Sequence, residues 1–94
     1  MVYITYPPIW TQAVVDKIWQ KYNITAEEVE ETIYDDSPAC IKGTSGSYWL
    51  YGHTIGGRLL FIVLTRKVGK GRYKVITARE MVERERKYYN KSRK

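Results

Sequence analysis

The chain has 94 residues, a length typical of one domain, and 44% of them are apolar. No stretch approaches the ~18 consecutive apolar residues that a membrane span needs, and the start MVYITYPP lacks the regions of a signal peptide. A single cysteine excludes an internal disulfide and fits a reducing compartment, so we expect a cytoplasmic protein that forms one domain over residues 1–94.

Charge is distributed unevenly along the chain, whose net charge is +6. Residues 66–94 contain twelve basic and three acidic residues, whereas residues 1–65 contain four basic and seven acidic ones. A strongly basic C-terminal part predicts a polyanion or an acidic protein as partner. A solubilising tail would account for the same charge equally well.

The N-terminal quarter predicts a strand and a helix. Residues 2–6, VYITY, are rich in β-forming types and stop at two prolines, which predicts an edge strand. Thr11 is a preferred N-cap type for the helix that follows. The apolar stripe of this helix consists of Val14, Ile18 and Tyr22. Asn23 suits the left-handed residue that ends such a helix.

A second helix is predicted by its capping box, T-x-x-E, formed by Thr25 and Glu28. Ile24, just before the cap, can pack on Val29 as a hydrophobic staple. Pro38 is expected to close this helix, which carries only acidic charges. Two consecutive helices joined near Asn23 form a helical hairpin.

The second half predicts an antiparallel meander and a terminal helix. Residues 48–54 alternate with period two, and Ile55-Gly56-Gly57 is a turn signal. The run at 58–67 is apolar on both faces, which indicates a central strand, and residues 72–78 predict a third strand. The terminal helix is expected to start near Ala78. The order β-α-α-β-β-β-α predicts a two-layer α+β fold, with the meander sheet packed by the helix hairpin and the terminal helix.

Three segments of the chain resemble the BrnT family of type II toxins, which are small ribonucleases with a RelE-like fold. The segments are KYNITAEEVEETI at 21–33, YWLYGHTIGGRLLFIVLTRK at 48–67 and YKVITAREMVERERKYYNK at 73–91. The second segment keeps the pattern G-x-T-x-x-G-R-x-L, and the third keeps the pattern A-R with E-R and Y further on. One departure is Tyr22, which stands where the family has a histidine.

The resemblance implies a metal-independent endoribonuclease that binds RNA and an antitoxin similar to BrnA. RNA cleavage by the 2′-hydroxyl requires a proton acceptor, charge stabilisation at the phosphate and a proton donor. Arg58 and Arg79 occupy patterned positions, and we expect their guanidinium groups to meet one phosphate at a shared end of the sheet. His53, the single histidine, is the first candidate for proton transfer. Further RNA contacts are expected from Lys74, Arg86, Tyr89 and Tyr51.

No metal or cofactor is expected, because one histidine and one cysteine do not supply a zinc or iron ligand set. A nucleophilic Cys40–His53 pair is disfavoured, since no sequence feature orients it. The alternative function is a non-catalytic nucleic-acid-binding or protein-interaction module on the same fold. In that interpretation Arg58 is an exposed turn residue and Arg79 pairs with Glu83. A homo-oligomer and a toxin–antitoxin complex both stay open.

Overall fold

The computed structural model describes residues 8–34, 39–43, 46–65 and 73–92. Its elements are, in chain order, α1 (Gln12–Tyr22), α2 (Ala26–Ile33), β1 (Ala39–Lys42), β2 (Ser47–His53), β3 (Leu59–Thr65), β4 (Val75–Glu80) and α3 (Glu83–Ser92). The four strands form one antiparallel sheet in the order β1-β2-β3-β4. The predicted α+β class, with its helix hairpin, meander sheet and terminal helix, is therefore confirmed.

The helix hairpin forms for the local reasons that the sequence indicates. The Thr11 hydroxyl accepts a hydrogen bond from the Val14 N–H at 3.3 Å, and Asn23 ends α1 in the left-handed conformation with φ 58°. The N–H of Glu28 donates to the Thr25 hydroxyl at 3.1 Å, while the Thr25 N–H donates to the Glu28 carboxylate at 3.1 Å. Both donors that this capping box is expected to satisfy are thus satisfied.

Two buried clusters cover opposite faces of the sheet, because successive strand residues point to opposite sides. The larger cluster joins the helix hairpin to one face and includes Ile18, Ile24, Val29, Ile33, Leu50, Leu60, Ile62, Leu64, Val75 and Ala78. The smaller cluster joins the other face to α3 and consists of Tyr51, Phe61, Met81 and Tyr89. The sheet therefore has helices on both faces, which explains why β3 is apolar on both faces.

The strands differ from the sequence-based expectation in two places. The strand predicted at 2–6 lies outside the described residues. Sequence patterns did not indicate β1, which pairs along β2 with Ala39 opposite Tyr51 and Lys42 opposite Tyr48. A four-residue edge strand is too short to show a period-two pattern, and the cross-strand partner supplies its hydrogen bonds.

The expected start of the last helix near Ala78 is wrong. Ala78 and Arg79 continue β4, where they stand opposite Ile62 and Phe61 of β3. Helix α3 begins only at Glu83. Pairing with the central strand outweighs the intrinsic helix preference of these residues, a common effect of tertiary context.

We expect Thr25→Ala to lower the free energy of unfolding by about 1 kcal/mol, because the first turn of α2 loses its side-chain cap. Urea unfolding of the two proteins measures the difference. Thr25→Ser keeps the hydroxyl and serves as the control, with stability close to that of the unchanged protein. Equal losses in both variants would show that the methyl group of Thr25, not its hydroxyl, matters.

Candidate functional site

A cavity of about 560 Å³ lies between the sheet and α3, and we call it the α3 cavity. Its lining residues are Trp49, Tyr51, Phe61, Val63, Arg79, Arg84, Glu85 and Tyr88. The strand residues meet there because Tyr51 stands opposite Phe61, and Phe61 stands opposite Arg79. Residues that stand opposite each other in antiparallel strands share a face of the sheet.

Aromatic rings form much of the α3 cavity. The Phe61 ring centroid lies 6.0 Å from that of Trp49 and 5.1 Å from that of Tyr51. The Tyr51 ring also packs against Tyr88 at 5.2 Å, and Tyr88 is 41% exposed. An exposed ring beside arginines is a surface on which a nucleic-acid base can stack.

Arg79 is held over this aromatic surface by a two-pronged ion pair. Its guanidinium carbon lies 4.5 Å from the Phe61 ring centroid. Its Nη1 and Nη2 donate to the two carboxylate oxygens of Glu85 at 2.8 and 2.9 Å, and Nη1 also donates to the Glu80 carbonyl at 3.1 Å. The hydrogen bond to Glu85 raises the pKa of Arg79, so the guanidinium is charged. A third of the side chain is exposed, which leaves it open to the cavity.

Glu85 connects the cavity to the start of α3. The Val82 N–H donates to Glu85 Oε1 at 2.9 Å, which caps the first turn and explains why the helix begins at Glu83. Burial alone would raise the pKa of Glu85, but the hydrogen bonds from Arg79 and from the Val82 N–H outweigh it. The pKa of Glu85 therefore lies below its ordinary value, and the group is a carboxylate at neutral pH. Burial, followed by the Glu85 charge, raises the pKa of Tyr51.

Arg58 lies elsewhere, against the helix hairpin. Its Nε donates to Glu80 at 2.6 Å, and Nη1 donates to Glu28 at 3.2 Å. Nη1 and Nη2 also donate to the carbonyls of Asn23 at 2.8 Å and Tyr22 at 3.0 Å. The hydrogen bond to Glu80 raises the pKa of Arg58. The Arg58 side chain thus joins the turn before β3 to the junction between α1 and α2.

Arg58 and Arg79 bind different carboxylates, and their predicted convergence on one phosphate stays a prediction. Glu80, which holds Arg58, stands opposite Leu60 on the face covered by the helix hairpin. Arg79 stands opposite Phe61 on the face covered by α3. Consecutive strand residues point to opposite faces, so β4 directs Arg79 and Glu80, the partner of Arg58, to different sides. The alternative expectations, an exposed turn residue for Arg58 and a pair with Glu83 for Arg79, are wrong. Arg58 is paired with Glu28 and Glu80, and Arg79 binds Glu85.

His53 lies on the same face of the sheet as the α3 cavity, two residues along β2 from Tyr51. Its Nδ1 is 2.9 Å from the Thr54 carbonyl oxygen, and its ring centroid is 6.5 Å from that of Tyr89. A carbonyl oxygen only accepts hydrogen bonds, so this contact requires Nδ1 to carry a hydrogen. His53 is not among the residues that line the cavity.

The other predicted RNA contacts have different surroundings. Tyr89 is fully buried, so the expectation that it contacts RNA is wrong: the ring packs in the core between α3 and the sheet. Tyr51 lines the cavity. Lys74 lies near the far end of β4, five residues or about 16 Å of extended chain from Arg79. Arg86 is exposed on α3 outside the cavity lining.

Sequence reasoning did not select Arg84 and Glu85 as site residues. Arg84 and Tyr88 are four residues apart, and such residues share a face of a helix. That signal was present, but a helix started near Ala78 grouped Arg79 with Arg86 instead. Placing the helix start at Glu83 would have identified the charged and aromatic residues that face the sheet.

Two negative findings concern the described residues alone. In residues 8–34, 39–43, 46–65 and 73–92, no three histidine, cysteine or carboxylate side chains are grouped to hold a metal ion. No helix in those ranges has the length and apolar character to cross a membrane. The side chain of Cys40 lies outside the described part of the chain, so the Cys40–His53 pair is not tested.

Comparison with known proteins gives a match in structure but not in sequence. No protein-family model and no curated protein sequence matches the chain. A solved structure that matches is the Brucella abortus ribonuclease toxin BrnT, with a TM-score of 0.65 over 81% of this chain and 96% of that one. The two sequences are 15% identical, so the match concerns the fold alone. The chain therefore has the fold of the BrnT ribonuclease toxin.

Proposed function

We propose that this chain is a toxin of a type II toxin–antitoxin pair and acts as a metal-independent endoribonuclease, all within the single domain 1–94. The α3 cavity carries the proposal. It combines rings that can stack on bases with two arginines, Arg79 and Arg84, that can bind a phosphate. The fold shared with a ribonuclease toxin supports the same assignment.

The proposed reaction begins with attack of a ribose 2′-hydroxyl on the adjacent phosphorus, for which RNA is required. Glu85 and the Glu80 carbonyl occupy Nη1 and one hydrogen of Nη2, so Arg79 offers Nε and the other Nη2 hydrogen to the non-bridging phosphate oxygens. These donors stabilise the charge that develops on the phosphate. Tyr88 stacks on a neighbouring base. His53, beside the cavity on the same face of the sheet, supplies the proton to the leaving 5′-oxygen. Arg58 holds the helix hairpin on the sheet and does not contact substrate.

Charge supports RNA as the substrate class. The C-terminal part, residues 66–94, has a net charge of +9, and helix α3 on the cavity side belongs to it. Attraction between such a surface and phosphates raises the rate of encounter and depends steeply on salt. An antitoxin similar to BrnA would compete with RNA by covering this basic surface.

The first test is cleavage of a defined RNA by the purified protein in excess chelator. We expect fragments that end in a 2′,3′-cyclic phosphate, because the 2′-hydroxyl is the nucleophile. The same oligonucleotide with 2′-deoxyribose throughout is the control and should stay intact. Intact RNA bound in a salt-sensitive manner would instead support the non-catalytic nucleic-acid-binding module.

The toxin assignment has its own test. Expression in a bacterial host should arrest growth, and co-expression of the adjacent reading frame should relieve the arrest. An inactive Arg79 variant expressed to the same level is the control. Normal growth with abundant folded protein would contradict the toxin assignment, whatever the result of the cleavage assay.

A further inference from the structure

The α3 cavity contains a carboxylate whose role the proposed reaction has not yet used. Glu85 is the one carboxylate among the described residues that line the cavity. Its side chain is 12% exposed, so it is largely removed from solvent while it borders the cavity. RNA cleavage without a metal needs a group that accepts the 2′-hydroxyl proton, and an ionised carboxylate can do this.

The hydrogen bonds of Glu85 leave room for a substrate hydroxyl. Oε1 accepts from the Val82 N–H and from Arg79 Nη1. Oε2 accepts from Arg79 Nη2 at 2.9 Å, its single hydrogen bond within the described part of the chain. A carboxylate oxygen can accept about two hydrogen bonds, so Oε2 keeps one acceptor position. The same contacts hold the carboxylate in one orientation before substrate arrives, as general-base catalysis requires.

Other lining residues are less suited to accept a proton. Arg79 and Arg84 are permanently protonated. Burial, followed by the charge of Glu85, raises the pKa of Tyr51, which keeps its phenol protonated at neutral pH. Trp49, Phe61 and Val63 carry no basic group. Compared with these lining residues, the ionised carboxylate beside a guanidinium is thus the group that matches the task.

We infer that Glu85 is the general base of this ribonuclease and takes the 2′-hydroxyl proton onto Oε2. The inference rests on the proposed function. In the step, the O2′–H bond breaks and its proton passes to Glu85 while the O2′–P bond forms. The P–O5′ bond breaks, and the leaving oxygen takes a proton from His53. The products are a 2′,3′-cyclic phosphate and a 5′-hydroxyl; Glu85 then gives its proton to water, and His53 takes one from water.

The ion pair between Glu85 and Arg79 by itself opposes protonation of Glu85, and the charge that develops on the phosphate offsets this cost. Protonation neutralises the carboxylate, which weakens its hold on Arg79. The phosphate gains negative charge at the same moment, so the guanidinium interaction shifts from Glu85 to the phosphate. Arg79 therefore binds the transition state more strongly than the ground state, which is the condition for faster chemistry.

The test replaces Glu85 by glutamine, which keeps one carbonyl oxygen for the Val82 N–H and Arg79 Nη1, loses the contact with Nη2 and cannot act as a base at neutral pH. We expect the single-turnover rate of RNA cleavage to fall about 100-fold. Affinity for a 2′-deoxy oligonucleotide should change less than about threefold, because the arginines that bind phosphate are retained. The assay temperature is kept below the unfolding midpoints of both proteins.

A modified substrate separates the group that accepts the 2′-hydroxyl proton from the group that protonates the leaving oxygen. In RNA with sulfur in place of the bridging 5′-oxygen at the mapped cleavage site, a thiolate leaves without needing a proton. The loss in Glu85→Gln should persist on this substrate, whereas the loss in His53→Gln should disappear. Recovery of Glu85→Gln on the sulfur substrate would overturn the assignment, and so would unimpaired cleavage of ordinary RNA by this variant.

A second variant covers the case in which Glu85→Gln does not fold. In Glu85→Asp the carboxylate remains, but the side chain is one methylene shorter. Cleavage should therefore be slower than in the unchanged protein and should still depend on an ionised group. The loss should persist on the sulfur substrate. Unchanged rates in Glu85→Asp on both substrates would overturn the inference. If the unchanged protein cleaves no RNA, the proposed function itself fails; if it cleaves and the Glu85 variants cleave equally well, the inference alone fails.

Discussion

Arg79→Ala is expected to slow RNA cleavage by roughly 100-fold, because the α3 cavity loses the fork that stabilises charge on the phosphate. The guanidinium lies over the Phe61 ring and beside Glu85, so its position is defined by two neighbours. The single-turnover rate in excess chelator measures the effect. Binding of a 2′-deoxy oligonucleotide should weaken far less than the rate, because the contact is strongest in the transition state.

Two controls accompany Arg79→Ala. Lys87→Ala removes one positive charge from an exposed position on α3 outside the cavity lining, and its rate should stay within about twofold of the unchanged protein. Arg79→Lys keeps the charge but not the fork, so it should recover part of the rate. Equal rates in Arg79→Ala and the unchanged protein, with both folded, would remove Arg79 from the mechanism.

Arg58→Ala is expected to lower the free energy of unfolding by about 3 kcal/mol, while the folded fraction keeps its cleavage rate. The variant leaves the carboxylates of Glu28 and Glu80 without their shared cation. It also removes donors from the carbonyls of Tyr22 and Asn23, at the junction of α1 and α2. Partial exposure of Arg58, 27% of its side chain, lets water compensate some of this loss.

Urea unfolding and the cleavage assay together test this role. Arg86→Ala is the matched control, since Arg86 is exposed on α3 and its loss should change stability by less than about 0.5 kcal/mol. Arg58→Lys should have intermediate stability, because an ammonium group cannot reach both carboxylates and both carbonyls. A fully stable Arg58→Ala protein that has lost cleavage would restore the sequence-based view of Arg58 as a substrate contact.

Local sequence signals predicted the elements that depend on neighbouring residues. The capping box of Thr25 and Glu28 and the left-handed Asn23 appear in the structure as expected. These features involve residues within one turn of each other, so a short stretch of sequence contains all the interacting groups. The apolar run of β3 likewise indicated a strand buried on both faces before its two covering layers were known.

The surroundings of the charged residues depended on contacts distant in sequence. Ala78 and Arg79 belong to β4 because β3 supplies hydrogen-bond partners, and no local pattern announces that pairing. Moving the start of the last helix from Ala78 to Glu83 changes which side chains face the sheet, since strands and helices have different periods. Tyr89 is thereby buried while its neighbour Tyr88 borders the cavity.

The sequence alone was therefore sufficient for the α+β class, the helix caps and the choice of Arg79 as a residue of interest. The tertiary structure was needed to give Arg58 and Arg79 different ion-pair partners and to bring Glu85 beside Arg79. The reason is geometric: Arg79 and Glu80 are adjacent in the chain, yet the pleat of β4 directs them to opposite faces of the sheet. Arg79 borders the cavity, whereas Glu80 binds Arg58, the arginine that holds the helix hairpin.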